Sequence, residues 1–306
     1  MKIAVGIPTF RRPEVLVRTC EEVLRQNHPA VCEVIIADQT PWDEIEKNWQ
    51  DAIVRLQRHE HIHYHTLQTP NLPAARNFIL QQATGDIVLW IDDDVLLPAG
   101  FIGAHYHSYA AGRCGRPVIA VAGNPVHRIV RVPDERKINF ENYKDYCAPH
   151  FSTPSGFVCD WRESMIGVNH SVLRLAAMEA GGYDENFSGS AGCEDTDFTC
   201  RLRKHFPEKL IAYNPDAWLI HLRSQAGGCR IEKKNKWSEY DAVIGPHICY
   251  MRHRRGISIF QSFRMSPLRR ENVVGFWRQP RAWYDFFRSL IHAYQLKSRV
   301  KSPFNP

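Results

Sequence analysis

Gly85-Asp86-Ile87-Val88-Leu89-Trp90-Ile91-Asp92-Asp93-Asp94 runs five apolar residues straight into three adjacent carboxylates. Ile87–Ile91 reads as a buried strand, with the acidic cluster at its carboxyl end. Adjacent carboxylates repel one another unless a cation or basic groups neutralise them. Asp92 and Asp94, alternate residues of an extended segment, point to the same side. Magnesium and manganese are commonly held by one or two carboxylates together with substrate phosphate oxygens. A merely solvated acidic loop is the competing reading, and the position directly after a core strand favours the cation.

Outward from this stretch, the first hundred residues alternate β-rich runs with helical patterns. Ile3–Ile7, Glu33–Asp38 and Ile62–Leu67 read as strands. Pro13 suits the first turn of a helix with Leu16, Cys20, Val23 and Leu24 on one face. Trp42–Leu56 reads as a second helix, and Pro73–Thr84, stopped by Gly85, as a third. This alternation argues for parallel strands, right-handed crossovers and helices on both sheet faces. Ligands of such sheets bind outside the carboxyl ends of the strands, where Thr9, Asp38 and Asp92 fall. Further along, Gly103–Gly115, Val172–Ala180 and Asp195–His205 read as helices. Pro117–Ala122, Leu210–Tyr213 and Ala217–Ile220 read as strands, and Val126–Cys159 as a long irregular lid or substrate loop.

The chain has 306 residues, 44% of them hydrophobic and 24% charged, the composition of an ordinary globular protein. No run approaches the roughly eighteen apolar residues of a membrane span. Met1–Pro8 is too short in apolar length for a signal peptide. Nine cysteines without a Cys-x-x-Cys pair read as free thiols in a reducing compartment, so the expected location is cytoplasmic.

A second acidic constellation is Gly192-Cys193-Glu194-Asp195-Thr196-Asp197. Carboxylates opening a helix are explained by capping and the helix dipole, or by a general base acting on a hydroxyl. The preceding Gly189–Gly192 lets backbone approach a ligand closely. His221 ends the strand-like Trp218–Leu222. It is a structural residue unless a metal at Asp94 has room for a neutral imidazole. His59, His61, His63 and His65 alternate along one strand face, where collinear ligands cannot enclose an ion. The chain has neither a Gly-x-x-x-x-Gly-Lys loop nor a Gly-x-Gly-x-x-Gly fingerprint, which removes kinase and dehydrogenase readings.

Taken in order, these motifs resemble family 2 of the glycosyltransferases, enzymes of the GT-A fold. The resemblance runs from about Met1 to Arg223. It rests on Ile7-Pro8-Thr9-Phe10-Arg11-Arg12-Pro13, Val34-Ile35-Ile36-Ala37-Asp38-Gln39-Thr40, Asn71-Leu72-Pro73-Ala74-Ala75-Arg76-Asn77 and Asp92–Asp94. Gly181-Gly182-Tyr183-Asp184-Glu185-Asn186-Phe187, Glu194-Asp195-Thr196-Asp197 and His221 complete it. It implies an α/β GT-A fold, with a Rossmann-like, mixed but mostly parallel sheet flanked by helices. The catalytic domain would be residues 1–228, with a nucleotide-binding half to about 123 and an acceptor-binding half from about 124.

The implied reaction is inverting transfer from a UDP-, dTDP- or GDP-linked sugar to a hydroxyl of a glycan or lipid-linked acceptor, with Mg²⁺ or Mn²⁺. Polysaccharide or lipid-linked glycan synthesis is the implied setting. By position, Pro8, Thr9 and Asp38 would contact the nucleoside, and Phe10, Arg12, Asn77 and Asp93 would belong to the same nucleotide-sugar site. Arg76 would lie near the diphosphate, and Asp92 near the ribose or metal. Asp94 would bind the metal with His221 as a further ligand, Asp195 would be the base, and Glu194 would orient the acceptor. Two departures stand out. Asp38-Gln39-Thr40 lacks the second acidic residue common in relatives, and Leu72-Pro73 replaces a more usual glycine. A non-catalytic nucleotide-binding or scaffold protein of the same fold is one rival. A sugar-phosphate nucleotidylyltransferase is another, although Ala4–Thr9 lacks its glycine-rich basic loop.

The net charge of +6 collects in the tail: from Arg252 onward only Glu271 and Asp285 oppose twelve basic residues. Trp283–Leu296 can form an amphipathic helix with Trp283, Phe286, Phe287, Leu290, Ile291 and Tyr294 on one side. A helical basic and aromatic extension over 229–306 fits the anionic cytoplasmic face of a membrane, a homodimer contact, or packing on its own catalytic domain. Nucleic acid is not an expected partner, because the chain offers no recognisable module for it.

Overall fold

Strand β1 (Ile3–Thr9) is buried at every position, and its alternate residues feed two separate cores. Ile3, Val5 and Ile7 pack with Leu16, Cys20 and Val23 of helix α1 (Pro13–Gln26). Ala4 packs on the opposite face with Ala75, Ile79 and Leu80 of helix α3 (Leu72–Gln82). Strand β4 (Ile87–Ile91) repeats the division, with Ile87, Leu89 and Ile91 on the first face and Val88 and Trp90 on the second. A strand dry on both faces needs helices on both sides, which is why these runs are continuously apolar. The computed structural model describes residues 1–110, 113–130, 134, 137–149, 154–187, 189, 191–224, 227–228 and 301–304.

β1 lies between β2 (Val31–Asp38) and β4, with β3 (Ile62–Thr66) outside β2, all parallel. Helices α1, α2 (Lys47–Leu56) and α3 make the connections. Past β4 the sheet becomes mixed. β8 (Asn169–Leu173) runs antiparallel to β4 and to β6 (Val118–Arg128). β9 (Leu210–His221) is parallel to β6, β5 (Val95–Leu96) is antiparallel to β9, and β7 (Cys147–Pro149) flanks β6. Among the described residues this forms one nine-stranded sheet in the order β3-β2-β1-β4-β8-β6-β9-β5, with β7 off β6. α4 (Phe101–Ser108), α5 (Arg174–Glu179) and α6 (Glu194–His205) complete the described helices.

Several elements differ from the sequence expectation. Trp42–Leu56 is not one helix: a 3₁₀ turn over Trp42–Glu44 precedes α2, with Ile45 extended between them. Val172–Ala180 is divided because Val172 pairs across to both Val88 and Ala120, so the helix starts at Arg174. The helix from Phe101 stops at Ser108, short of Gly115. β6 continues past Ala122 to Arg128, into the stretch expected to be irregular.

The two short strands over Leu210–Ile220 are one strand with a bulge. Its register jumps from Ala122↔Tyr213 to Asn124↔Trp218. Gly123 is required there because a Cβ would fall 2.3 Å from Oδ1 of Asn169. The expectation of free thiols fails for one pair. Cys114 and Cys159 are disulfide-bonded with Cα atoms 5.4 Å apart, tying the chain before β6 to the segment that leads into β8.

Residues 229–300, including Trp283–Leu296, lie outside the described residues. Lys301–Phe304 rest on the loop after α5: Lys301 N–H donates to Asp184 Oδ1 at 3.0 Å, and Glu185 N–H donates to the Lys301 carbonyl at 2.8 Å. Phe304 packs against the second core. No helix among the described residues is long and apolar enough to cross a membrane.

The dry joint between α4 and β8 carries a polar network. His105 pairs with Ser171 Oγ at 3.0 Å and with Asn169 Oδ1 at 2.9 Å, and Tyr109 shares Ser171. Burial lowers the His105 imidazole from 6.5 to about 4, with Asn169 opposing weakly. The unfolded chain therefore binds a proton in that window that the folded chain refuses, and stability falls as pH drops from about 6.5 towards 4. The loss from this residue should be about 3 kcal/mol. Denaturant unfolding across this pH range should show a shallower decline for His105→Gln than for the unaltered chain. Parallel declines would contradict it.

Candidate active site

The acidic cluster sits where four elements converge. Thr9, at the end of β1, donates from Oγ1 to Asp93 Oδ2 at 2.6 Å. Arg12, just before α1, donates to Asp93 Oδ1 at 2.9 Å and reaches Asp94 Oδ2 at 3.3 Å. Thr19, in the second turn of α1, donates to the Asp93 carbonyl at 2.7 Å and so pins the turn between β4 and β5. Beyond β9, Ser224 N–H donates to Asp94 Oδ2 at 2.7 Å. β5 pairs with the end of β9, Val95 opposite His221, and this pairing carries the imidazole to the cluster.

The three carboxylates end up in different states. Burial pushes the Asp93 carboxyl up to about 6, with Arg12 pulling against it and Asp94 adding to it. Burial would raise Asp94 too, but His221, Arg12 and the Ser224 N–H together hold it below the usual carboxylate range. Asp92 stays open, its side chain 29% exposed against 0% for Asp94. Asp93 is therefore the structural member, tied to Arg12 and Thr9, while Asp92 and Asp94 turn towards His221.

One ligand atom each from Asp92, Asp94 and His221 lies within 4.8 Å of the others. His221 Nε2 is 3.1 Å from Asp94 Oδ1 and 3.7 Å from Asp92 Oδ2. Asp94 Oδ1 is buried and has no hydrogen-bond donor aligned on it, with His221 Nε2 3.1 Å away. Two carboxylates and an imidazole converging on a point that no hydrogen bond fills fit a Mg²⁺- or Mn²⁺-type cation. The alternating histidines form no such group among the described residues.

A cleft of 340 Å³ opens beside this point. It is lined by Pro8, Thr9, Phe10 and Arg12, by Arg76 and Glu194, which pair with each other, and by Asp92, Asp93 and His221. Arg76 projects from α3 and is only 1% exposed, spending Nη1 on Glu194 Oε1 at 2.5 Å. Its Nη2 lies 4.0 Å from Asp92, and the Tyr183 ring lies under its guanidinium at 5.2 Å. Burial and the charge of Asp195 raise the Glu194 carboxyl to about 7 against the pull of Arg76. Behind Tyr183, His170 is driven down to about 3 by burial and by Arg76.

Four expected site residues do not line this cleft. Asp94 lies behind Asp92 and Asp93. Asp38 is buried, with Oδ1 accepting from Thr40 N–H at 2.7 Å and Oδ2 from the Tyr64 hydroxyl at 2.6 Å. Asn77 is buried between α3 and the Tyr183–Glu185 loop, hydrogen-bonded to Tyr183 N–H, Tyr183 carbonyl and Glu185. Asp195 accepts from Gly167 N–H at 2.9 Å and from Thr196 N–H at 2.6 Å. Conversely, Gln39, His127 and Gly167 line the cleft without having been singled out. Gly167 had no signal of its own. A Cβ there would come 2.6 Å from Arg76 Nη2, so only glycine lets this backbone rest on the Arg76–Glu194 pair.

Residues 4–160 match the model of the family described as Glycosyl transferase family 2. The succinoglycan biosynthesis protein ExoM of Rhizobium meliloti (strain 1021) is 29% identical over 228 residues. That match covers 72% of this chain and spans 66% of the length of ExoM. Among solved structures, the mannosyltransferase PcManGT from Pyrobaculum calidifontis, in complex with GDP-Man and Mn²⁺, aligns over 97% of this chain and 76% of its own. Its TM-score is 0.55 and its identity 16%. S. aureus TarS 1–349 aligns over 96% of this chain and 81% of its own, with a TM-score of 0.57 and 14% identity. These likenesses establish a GT-A-like fold.

The ion pairing at Arg12 is testable without any ligand. Its side chain is 8% exposed and its partners 4% and 0%, so removing its charge strands two buried carboxylates. An Arg12→Met chain should lose about 3–5 kcal/mol of unfolding free energy in metal-free denaturant titrations. A loss below about 1 kcal/mol, the range of a surface ion pair, would contradict the clamp.

Proposed function

This chain belongs to glycosyl transferase family 2, and from that premise we propose that it transfers a sugar from a nucleotide-diphosphate donor to an acceptor hydroxyl with inversion. The observation carrying this reading is the Asp92–Asp94–His221 group beside a cleft that Glu194 also lines, with Asp195 next to Glu194 at the start of α6. Asp94, Asp92 and His221 would hold Mg²⁺ or Mn²⁺, which supplies positive charge against the leaving diphosphate. The nucleoside enters along Pro8, Thr9 and Phe10, with Gln39 beside them, and Asp38 shapes the turn that presents Gln39.

On the acceptor side the two carboxylates divide the work. Glu194 is held by Arg76, which fixes it on the cleft wall as the group that orients the acceptor. Asp195 takes the hydroxyl proton as the oxygen attacks the anomeric carbon from the face opposite the diphosphate. The Gly167 N–H and Thr196 hold its carboxylate in one orientation. The name of the relative ExoM, together with the family, supports an acceptor in polysaccharide synthesis, and we place the reaction at the cytoplasmic face of a membrane on the charge of the tail alone. The cationic tail is the part of the chain suited to an anionic surface there.

Isotope-labelled nucleotide sugars, assayed with Mn²⁺ for both transfer and slow hydrolysis, test this assignment. Asp195→Asn should bind the nucleotide normally and lose kcat by about 10³-fold, within the range of general-base catalysis. Asp94→Asn should lose activity together with metal dependence. Near-normal turnover in Asp195→Asn, with Glu194→Gln the slow variant, would transfer the base role to Glu194.

A further inference from the structure

His127 lines the cleft, yet no step described above uses it. It belongs to the part of β6 that lies directly beside β9, in register with His221. The two imidazoles meet through the same ring atom, Nδ1 to Nδ1 at 3.0 Å, with ring centroids 5.1 Å apart and planes at 62°. His127 is 9% exposed and the His221 side chain 13%, so water competes weakly for this contact.

Two imidazole nitrogens at that distance form a hydrogen bond only if one carries a proton and the other a lone pair. The opposite nitrogen of His221, Nε2, faces Asp94 and Asp92. An imidazole can offer Nε2 to a cation only as the tautomer with its proton on Nδ1. That proton needs an acceptor, and His127 Nδ1 is where the acceptor stands. We propose that His127 is a positioning residue that holds His221 in the Nδ1–H tautomer and thereby frees Nε2 for the cation. The proposal rests on the metal reading of the Asp92–Asp94–His221 group.

The choice of residue has a physical sense. Metal-bound histidines commonly donate to a carboxylate, but this site already holds three. A neutral imidazole accepts the hydrogen bond without adding a fourth negative charge. It can also reverse its role. With no cation bound, His127 can donate from Nδ1 while His221 turns an Nε2–H towards Asp94. Exchange between these two neutral arrangements moves protons within the ring pair and leaves its net charge unchanged. A one-way donor such as lysine at this position would hold the metal-incompetent tautomer.

Mn²⁺ binding to the full chain, followed by electron paramagnetic resonance, reads the effect independently of turnover. His127→Leu should weaken binding about 10–100-fold, the usual cost of losing such a partner. His127→Gln, whose amide oxygen can accept the same hydrogen bond, should recover most of the affinity. If the unaltered chain binds no Mn²⁺, the metal reading falls and this proposal with it. If it binds and His127→Leu binds equally well, the metal reading stands and the role of His127 is overturned. Equal weakening in Leu and Gln variants would also overturn it, by reducing His127 to packing. Long-range ¹H–¹⁵N correlation of the unaltered, Mg²⁺-loaded protein needs no variant: His221 should show Nδ1–H, and an Nε2–H signal would refute the proposal.

Discussion

Three carboxylates at the end of a dry strand are an electrostatic load that the surrounding architecture must carry. β4 delivers Asp92, Asp93 and Asp94 side by side to the sheet rim, and the two inner ones are almost wholly buried. Burial of that kind is tolerated only with matched charge and hydrogen bonds. The matching groups come from distant parts of the chain: Thr9 and Arg12 at and beyond the end of β1, Thr19 on α1, and His221 and Ser224 at and beyond β9. The order of strands explains their arrival. β1 lies next to β4, and the short β5 turns the chain back onto β9.

The same load gives the site two poles. One is the group Asp92, Asp94 and His221, with an unsatisfied buried oxygen on Asp94. The other is Arg76 with Glu194, braced from below by Tyr183 and from the side by the bare backbone of Gly167. Arg76 links them, since its second amino group approaches Asp92. A ligand that enters the cleft meets the Asp92–Asp94–His221 group and the Arg76–Glu194 ion pair.

Much of this was legible in the sequence, because strong local patterns decided it. Ile87–Ile91 is a strand with the same bounds in both readings, while the grouping of Asp92 and Asp94 with His221 is legible only through the family resemblance. What escaped depended on non-local pairing. β8 was hidden because Val172 and Leu173 run directly into a helix-forming Leu175-Ala176-Ala177, and only pairing with β4 and β6 makes the first part extended. His127 was lost inside a segment expected to be irregular, since nothing local says that β6 continues beside β9. Asp38 is the opposite case. Its type and strand-end position matched a nucleoside contact, but Tyr64 and Thr40 occupy its oxygens, and its neighbour Gln39 faces the cleft. The bond between Cys114 and Cys159 joins residues 45 apart, which no spacing rule could nominate.

The charge left unmatched on this rim is what a divalent cation would match. Crystals soaked with Mn²⁺ and a nucleoside diphosphate, measured at the manganese absorption edge, test it directly. One anomalous peak is expected, bounded by Asp92, Asp94 and His221, with Asp93 still on Arg12. Diphosphate bound in the cleft with no peak there, or a peak on Asp93 with Arg12 displaced, would contradict it.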